Sequence, residues 1–111
     1  MEHAAAALGN LAFDESNQVA IAAAGGILPL VQLVRCGTDV AKEKAAAGLG
    51  NLAVNDDNQV AIADAGGIAP LVEMVRCGTT TARQNAATAL GNLAFNQDNK
   101  EAIIAAGYVD V

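Results

Sequence analysis

Hydrophobic and polar positions follow one another along the chain in a pattern that repeats every 41 residues. The string Leu-Gly-Asn-Leu-Ala begins at Leu8, at Leu49 and again at Leu90. When residues 8–38 are aligned with residues 49–79, 23 of the 31 positions are identical. A fixed period of this length is typical of stacked structural units, each of which buries its apolar face against the next.

Within one 41-residue unit the pattern predicts three helices and no strands. Apolar residues recur at helical spacing, and no window alternates with a period of two. The double glycine at Gly25-Gly26 ends the first helix and allows a sharp turn into the second. The predicted helices run from 18 to 24, from Ile27 to about Arg35, and from about Asp39 to Ala53.

Residues at the helix ends support these bounds. Pro29 lies in the first turn of the second helix, where its missing N–H costs no intrahelical hydrogen bond. Gly37 is expected to end that helix in a left-handed cap. In the later copies Asp57 and Asp98 are predicted to cap the first helix, because a carboxylate can accept from the exposed N–H groups.

Composition and charge exclude several classes of function. The chain has 111 residues, 12 acidic against 6 basic, and a formal net charge of −6, which disfavours a nucleic-acid partner. No apolar run is long enough to cross a bilayer, so no membrane partner is expected. No nucleophile–base pair, paired carboxylate site or phosphate-binding loop is present. We therefore expect neither an enzyme nor a cofactor.

The two cysteines occupy equivalent positions in successive copies. Cys36 and Cys77 lie 41 residues apart, so packing of neighbouring helices places them about 8–10 Å apart, beyond the reach of a disulfide. A shared metal is the alternative, but no cluster of His, Cys or carboxylate residues accompanies them. Free thiols indicate a reducing compartment, and we expect a cytoplasmic protein.

These features resemble the armadillo repeat. The resemblance rests on residues 17–34 and 45–53, on the matching copy at 58–94, and on the junction Gly-Gly-Ile-x-Pro-Leu-Val, which the helix pairs of HEAT repeats lack. It implies an all-α, right-handed α-solenoid of 41-residue three-helix units. The predicted divisions of this single domain are a partial repeat at 1–15, full repeats at 16–56 and 57–97, and a partial repeat at 98–111.

The resemblance also implies a binding scaffold. In importin-like armadillo proteins the third helices line a concave groove, where one asparagine from each repeat holds an extended peptide. The matching residues in this chain are Asn10, Asn51 and Asn92. An amide both donates and accepts, so it can pair with any peptide backbone. An asparagine near a helix end can instead bond to the local backbone and help to end the helix, and the two roles can coexist.

The chain departs from the importin-like pattern one helical turn before each asparagine. That pattern has a tryptophan there, whereas this chain has Ala6, Ala47 and Thr88. The slots that grip lysine stems are therefore missing, which argues against nuclear-localisation signals as ligands. A shallow groove remains, which Lys44, Asn85 and Thr88 are expected to line beside the asparagines.

Positions one turn after each asparagine also belong to this predicted groove. They are Asp14, Asn55 and Asn96. With Lys44 and the neighbouring acids the predicted groove is polar and mixed in charge. An extended peptide or protein segment is the expected partner.

An alternative function is self-association. The chain begins within a third helix and ends after a first helix, so its ends lack polar caps, which solenoids need to stay soluble. Such ends suggest an excised or engineered fragment, and the near-identity of the copies fits either recent duplication or consensus design. Apolar residues there are expected to pair in a homodimer. They are Leu8, Leu11 and Phe13 at one end, and Leu90, Phe95, Ile103 and Ile104 at the other.

Overall fold

A computed structural model describes residues 25–108, which form six α-helices and contain no strand. The all-α prediction is confirmed. The helices are α1 (Ile27–Cys36), α2 (Asp39–Leu52), α3 (Asp56–Asp64), α4 (Ile68–Cys77), α5 (Thr80–Leu93) and α6 (Gln97–Ala105).

The helices follow the 41-residue period. α3, α4 and α5 form one complete three-helix unit, while α1 and α2 are the second and third helices of the unit before it. α6 is the first helix of the unit that follows. The predicted bounds of the second and third helices agree with α1 and α2 to within one residue. The predicted first helix at 18–24 lies outside the described residues.

α3 and α6, the first helices that the structure describes, begin earlier in the repeat than predicted, and an asparagine caps each. Oδ1 of Asn55 accepts from the backbone N–H of Asn58 at 3.0 Å, and Asn96 caps α6 in the same way. The predicted caps, Asp57 and Asp98, are wrong: both lie within the first turn of their helix. Their carboxylates are still favourable there, because the N-terminal end of the helix dipole is positive.

The left-handed glycines are not where the sequence pattern predicted them. Gly37 has φ −76° and ψ 174°, which is extended backbone, so the predicted left-handed cap is wrong. Glycine is required there for space instead, because a Cβ would lie 2.6 Å from the carbonyl oxygen of Leu33. Gly66 has φ +81° and ends α3, where Gly67 N–H bonds to the carbonyl of Ile62 at 3.0 Å. This bond is characteristic of the Schellman motif.

The third helices α2 and α5 make the most extensive contact of any two described helices. Small residues allow this close approach: a Cβ built on Gly50 would lie 3.7 Å from Ala89. Gly91 is the equivalent residue one unit later, and it is exposed with nothing near its Cβ position. Large side chains fill the core around this seam. Those fully buried include Leu30, Leu49, Leu52, Ile62, Leu71, Leu90, Leu93 and Ile103.

We predict that Gly50→Leu lowers the free energy of unfolding by about 1–3 kcal/mol, because the larger side chain forces α2 and α5 apart. Gly91→Leu is the matched control: it meets open space and raises helix propensity, so stability is unchanged or rises by up to about 1 kcal/mol. Urea unfolding followed by circular dichroism measures both. Equal effects of the two substitutions would contradict the close packing.

Candidate functional site

Five residues predicted to line the groove, together with Ala47, lie on neighbouring faces of α2 and α5. Lys44, Ala47 and Asn51 share one face of α2, because residues three and four apart lie on the same side of a helix. The equivalent residues of α5 lie beside them. We call these six residues the third-helix surface: Lys44 and Thr88 are exposed, and Ala47, Asn51, Asn85 and Asn92 are half-buried.

Asn92 joins the two helices through its side chain. Its Nδ2 donates to the carbonyl oxygen of Gly50 at 2.9 Å. That oxygen lies in the last turn of α2, and Val54 N–H, its expected partner, bonds to Asn51 instead at 3.5 Å. The amide of the next repeat thus satisfies a carbonyl that the end of the helix leaves without an intrahelical partner.

Asn85 repeats this arrangement two turns earlier. Its Nδ2 donates to the carbonyl oxygen of Glu43 at 2.9 Å, again in the preceding third helix. The two amides therefore hold α5 against α2 at two levels. Sequence reasoning had offered a peptide contact or a local bond for Asn92, and the hydrogen bond to the neighbouring repeat was not among those roles.

The side-chain amides of Asn85 and Asn92 keep unused hydrogen-bonding capacity. An amide has two N–H donors and an oxygen with two lone pairs. For each residue a single N–H···O bond is made within residues 25–108, and no described group donates to either Oδ1. The third-helix surface can therefore present a donor and an acceptor to an extended backbone.

Thr88 also lies on this surface, but its hydroxyl proton is already used in a hydrogen bond within α5. Its hydroxyl donates to the carbonyl oxygen of Gln84 at 3.0 Å, one turn earlier in the same helix. Ala47, its equivalent in α2, has only a methyl group. The surface at these positions is small and smooth.

Asn55 and Asn96, which were also predicted to line the groove, act as helix caps. Their side-chain oxygens cap α3 and α6, because each is the last residue before a helix and faces that helix's free N–H groups. Asn10 and Asp14 of the predicted groove, and Leu8, Leu11 and Phe13 of the predicted self-association surface, lie outside the described residues.

The predicted self-association residues at the other end divide into two pairs. Leu90 and Ile103 are fully buried, so their predicted exposure is wrong: they face the chain's own core. Phe95 is 82% exposed and Ile104 is 46% exposed, so these two remain available to another molecule.

Buried amides near the start of the first helices were missed by sequence reasoning. Asn99 Nδ2 donates to the carbonyl of Gln59 at 3.0 Å, in the preceding repeat, and to that of Leu93 at 3.2 Å. Asn58 bonds in the equivalent way to Leu52 at 3.0 Å. The sequence signal for these buried amides was their recurrence every 41 residues. Buried polar side chains are usually hydrogen-bonded, so a recurring one is expected to pair with backbone groups.

Arginines at the ends of the second helices also join neighbouring units, at the ends of the first helices. Arg76 donates to the carbonyl of Ala106 at 3.0 Å, and Arg35 donates to that of Gly66 at 3.4 Å. In both cases the acceptor lies just after the first helix of the next repeat, where a cation favours the helix C-terminus.

A cavity of about 450 Å³ lies away from the third-helix surface, between α1, α4 and the starts of α2 and α5. Val34, Pro70 and Met74 form apolar parts of its wall. Cys77 also lines it, and the thiol donates to the Glu73 carboxylate at 3.3 Å. This hydrogen bond and the negative charge of Glu73 raise the pKa of the Cys77 thiol, because both favour its neutral form.

The described residues contain no group of three or more His, Cys, Asp or Glu side chains that could hold a metal ion. Among these same residues, no helix has the length and apolar character needed to cross a membrane.

We predict that Asn92→Ala lowers the free energy of unfolding by about 0.5–1.5 kcal/mol in the absence of any ligand, because the Gly50 carbonyl loses its partner. Thr88→Ala is the control on the same helix, since it removes only a bond within α5 and should change stability by less than about 0.5 kcal/mol. Chemical unfolding of both variants measures the difference. An Asn92→Ala protein as stable as the parent would contradict the structural role of this amide.

Comparison with known proteins identifies the repeat and the fold. The model of the armadillo/β-catenin-like repeat matches residues 55–95. A crystal structure of an engineered protein is 34% identical, with a TM-score of 0.90, and the alignment covers 96% of this chain and 44% of that one. No match was found among curated protein sequences.

Two designed proteins with armadillo repeats are also similar. One is described as computationally designed for modular peptide recognition, with 28% identity, a TM-score of 0.89, and coverage of 96% of this chain and 46% of that one. The other was solved in complex with the peptide (KR)4, with 25% identity, a TM-score of 0.84, and coverage of 91% and 44%. This chain thus spans less than half the length of each of these structures. Residues 55–95 are an armadillo repeat, and the chain folds as an all-α armadillo-repeat solenoid.

Proposed function

We propose that the chain is a binding module, not an enzyme, that holds an extended peptide or protein segment on the third-helix surface. Asn51 and Asn92 are proposed to contact the peptide backbone, and Asn10 extends the series by its position in the repeat. The observation that carries the proposal is the half-used amide of Asn92, which is fixed by its bond to Gly50 and still has a donor and an acceptor to offer. Fixing the amide in advance lowers the entropy that binding costs.

The similar structures support the same class of ligand. One designed armadillo protein is described as made for modular peptide recognition, and another was solved with a peptide. The free thiols of Cys36 and Cys77 are exposed, which suits a reducing, cytoplasmic setting.

The small number of asparagine hydrogen bonds limits the affinity for a peptide. Each asparagine contributes about 1 kcal/mol net, so three contribute about 3 kcal/mol, whereas micromolar binding needs about 8 kcal/mol. We therefore propose a weak binder, whose affinity rises when a ligand spans more repeats or adds side-chain contacts.

We predict that a neutral, extended peptide such as (Ser-Ala)4, added at millimolar concentration, shifts the NMR signals of the Asn51, Asn85 and Asn92 side-chain amides and of the α2 and α5 backbones. Asn51→Ala should weaken binding roughly fivefold, because one backbone contact of about 1 kcal/mol is lost.

Gln97→Ala is the matched control for that titration, because it removes an exposed amide on α6, away from the third-helix surface. Its affinity should equal that of the parent. Shifts centred on α1, α3, α4 or α6, or unchanged affinity after Asn51→Ala, would contradict the proposed site.

We propose self-association as a second function, and the exposure of Phe95 favours it. A large aromatic side chain left in water is a common anchor of protein interfaces. The exposure of Gly91 also favours self-association. Its equivalent one repeat earlier, Gly50, is covered by Ala89 of the next repeat, whereas nothing lies near Gly91. A second copy of the chain stacked on α5 and α6 would cover Gly91, Phe95 and Ile104 together.

We predict that light scattering after size exclusion detects a species heavier than the 11.1 kDa monomer as concentration rises. Phe95→Glu should abolish it, because the interface loses its anchor and gains a charge. Val54→Glu, at the equivalent exposed position one unit earlier, should leave it unchanged. A monomer at all concentrations would contradict this second function.

A further inference from the structure

Charge is divided unequally between the third helices and the other helices that the structure describes. The third helices α2 and α5 carry three basic and two acidic residues: Lys42, Lys44 and Arg83 against Asp39 and Glu43. The other four described helices carry three basic and six acidic residues: Arg35, Arg76 and Lys100 against Asp56, Asp57, Asp64, Glu73, Asp98 and Glu101. The third helices are therefore net positive in a chain whose formal net charge is −6.

Lys44 is the charged residue of the third-helix surface. It is exposed and makes no ion pair within residues 25–108. Its sequence neighbour Glu43 keeps its negative charge but does not pair with it, and the Glu43 carboxylate accepts instead from the hydroxyl of Thr79 at 2.9 Å. Lys44 thus has three N–H donors available to a ligand.

The other two cations of α2 and α5 point elsewhere. Arg83 Nη2 donates to the carbonyl oxygen of Arg76 at 3.4 Å, at the end of α4. Lys42 lines the cavity between the second helices. Among the six residues of the third-helix surface, Lys44 is therefore the one that carries a charge.

Nothing on α5 opposes a negative ligand. The helix contains no Asp or Glu, and its contributions to the surface are Asn85, Thr88 and Asn92, which are all neutral. Because Ala47 and Thr88 are not aromatic, the surface also lacks a π-face on which a cationic side chain could stack.

We propose that the third-helix surface selects an extended peptide with acidic side chains, one of which pairs with Lys44. This inference rests on the proposed function and adds the chemical class of the ligand. The preferred charge is opposite in sign to that of the (KR)4 peptide bound by the designed protein of similar fold.

Salt screening makes the charges near the ligand more important for peptide preference than the net negative charge of the whole chain. At 0.1 M salt the Debye length is about 10 Å, so an acidic side chain in contact with Lys44 interacts mainly with that residue and only weakly with acids on the other helices. Glu43, the nearest acid in sequence, reduces this attraction. An exposed ion pair changes affinity by roughly two- to fivefold.

Three peptides with the same backbone test the inference: (Ser-Asp)4, (Ser-Ala)4 and (Ser-Lys)4, each carrying an uncharged dye for fluorescence anisotropy. At 0.1 M salt the acidic peptide should bind roughly two- to fivefold more tightly than the neutral one, and the basic peptide should bind most weakly. The difference should shrink at about 0.5 M salt, where charges are screened more strongly.

Two substitutions with the same change of net charge locate the effect. Lys44→Glu should remove the preference for (Ser-Asp)4 and favour (Ser-Lys)4, whereas Lys100→Glu, on α6, should preserve the parent order. If (Ser-Lys)4 binds most tightly to the parent, or if the two variants change the order equally, the inference is overturned while peptide binding stands. If none of the three peptides binds, the proposed function fails and the acidic preference fails with it.

Discussion

The contact between α2 and α5 is the interaction on which the rest of the structure depends. Gly50 and Ala89 are small enough for the two backbones to approach closely, and this brings the carbonyl of Gly50 within reach of the Asn92 amide. A large side chain at this seam would push the two helices apart and weaken this hydrogen bond. The second helices α1 and α4 make much less contact, and a cavity lies between them.

The asparagines connect fold and function because one side-chain amide can serve both. A backbone carbonyl near the end of a helix needs a donor, and an extended peptide needs both a donor and an acceptor. Asn92 meets the first need with one N–H and keeps its other N–H and its oxygen for the second. Holding a repeat in place and recognising a peptide are therefore compatible uses of the same residue, and the first orients the side chain for the second.

The 41-residue period was sufficient to predict the all-α fold, because each copy gives the same helix signals. It could not predict the partner of Asn92, since Gly50 is 42 residues away and only the stacking geometry brings them together. The burial of Leu90 was missed for a related reason: sequence reasoning treated it as facing an open end, whereas it lies in the core. At Asn55 the sequence offered several polar residues in a row, and their order alone does not identify the one that caps the helix.

Whether Asn92 can hold the neighbouring repeat and a peptide together is tested most directly by NMR. The measurement is the scalar coupling between the Asn92 side-chain nitrogen and the Gly50 carbonyl carbon, which passes through the hydrogen bond from Nδ2 to the carbonyl oxygen, recorded with and without a bound peptide. We predict that the coupling is present in the free protein and persists on binding, while the signal of the second amide proton of Asn92 shifts. Loss of the coupling when the peptide binds would mean that Asn92 must choose between the neighbouring repeat and the ligand. That result would contradict a pre-oriented binding surface.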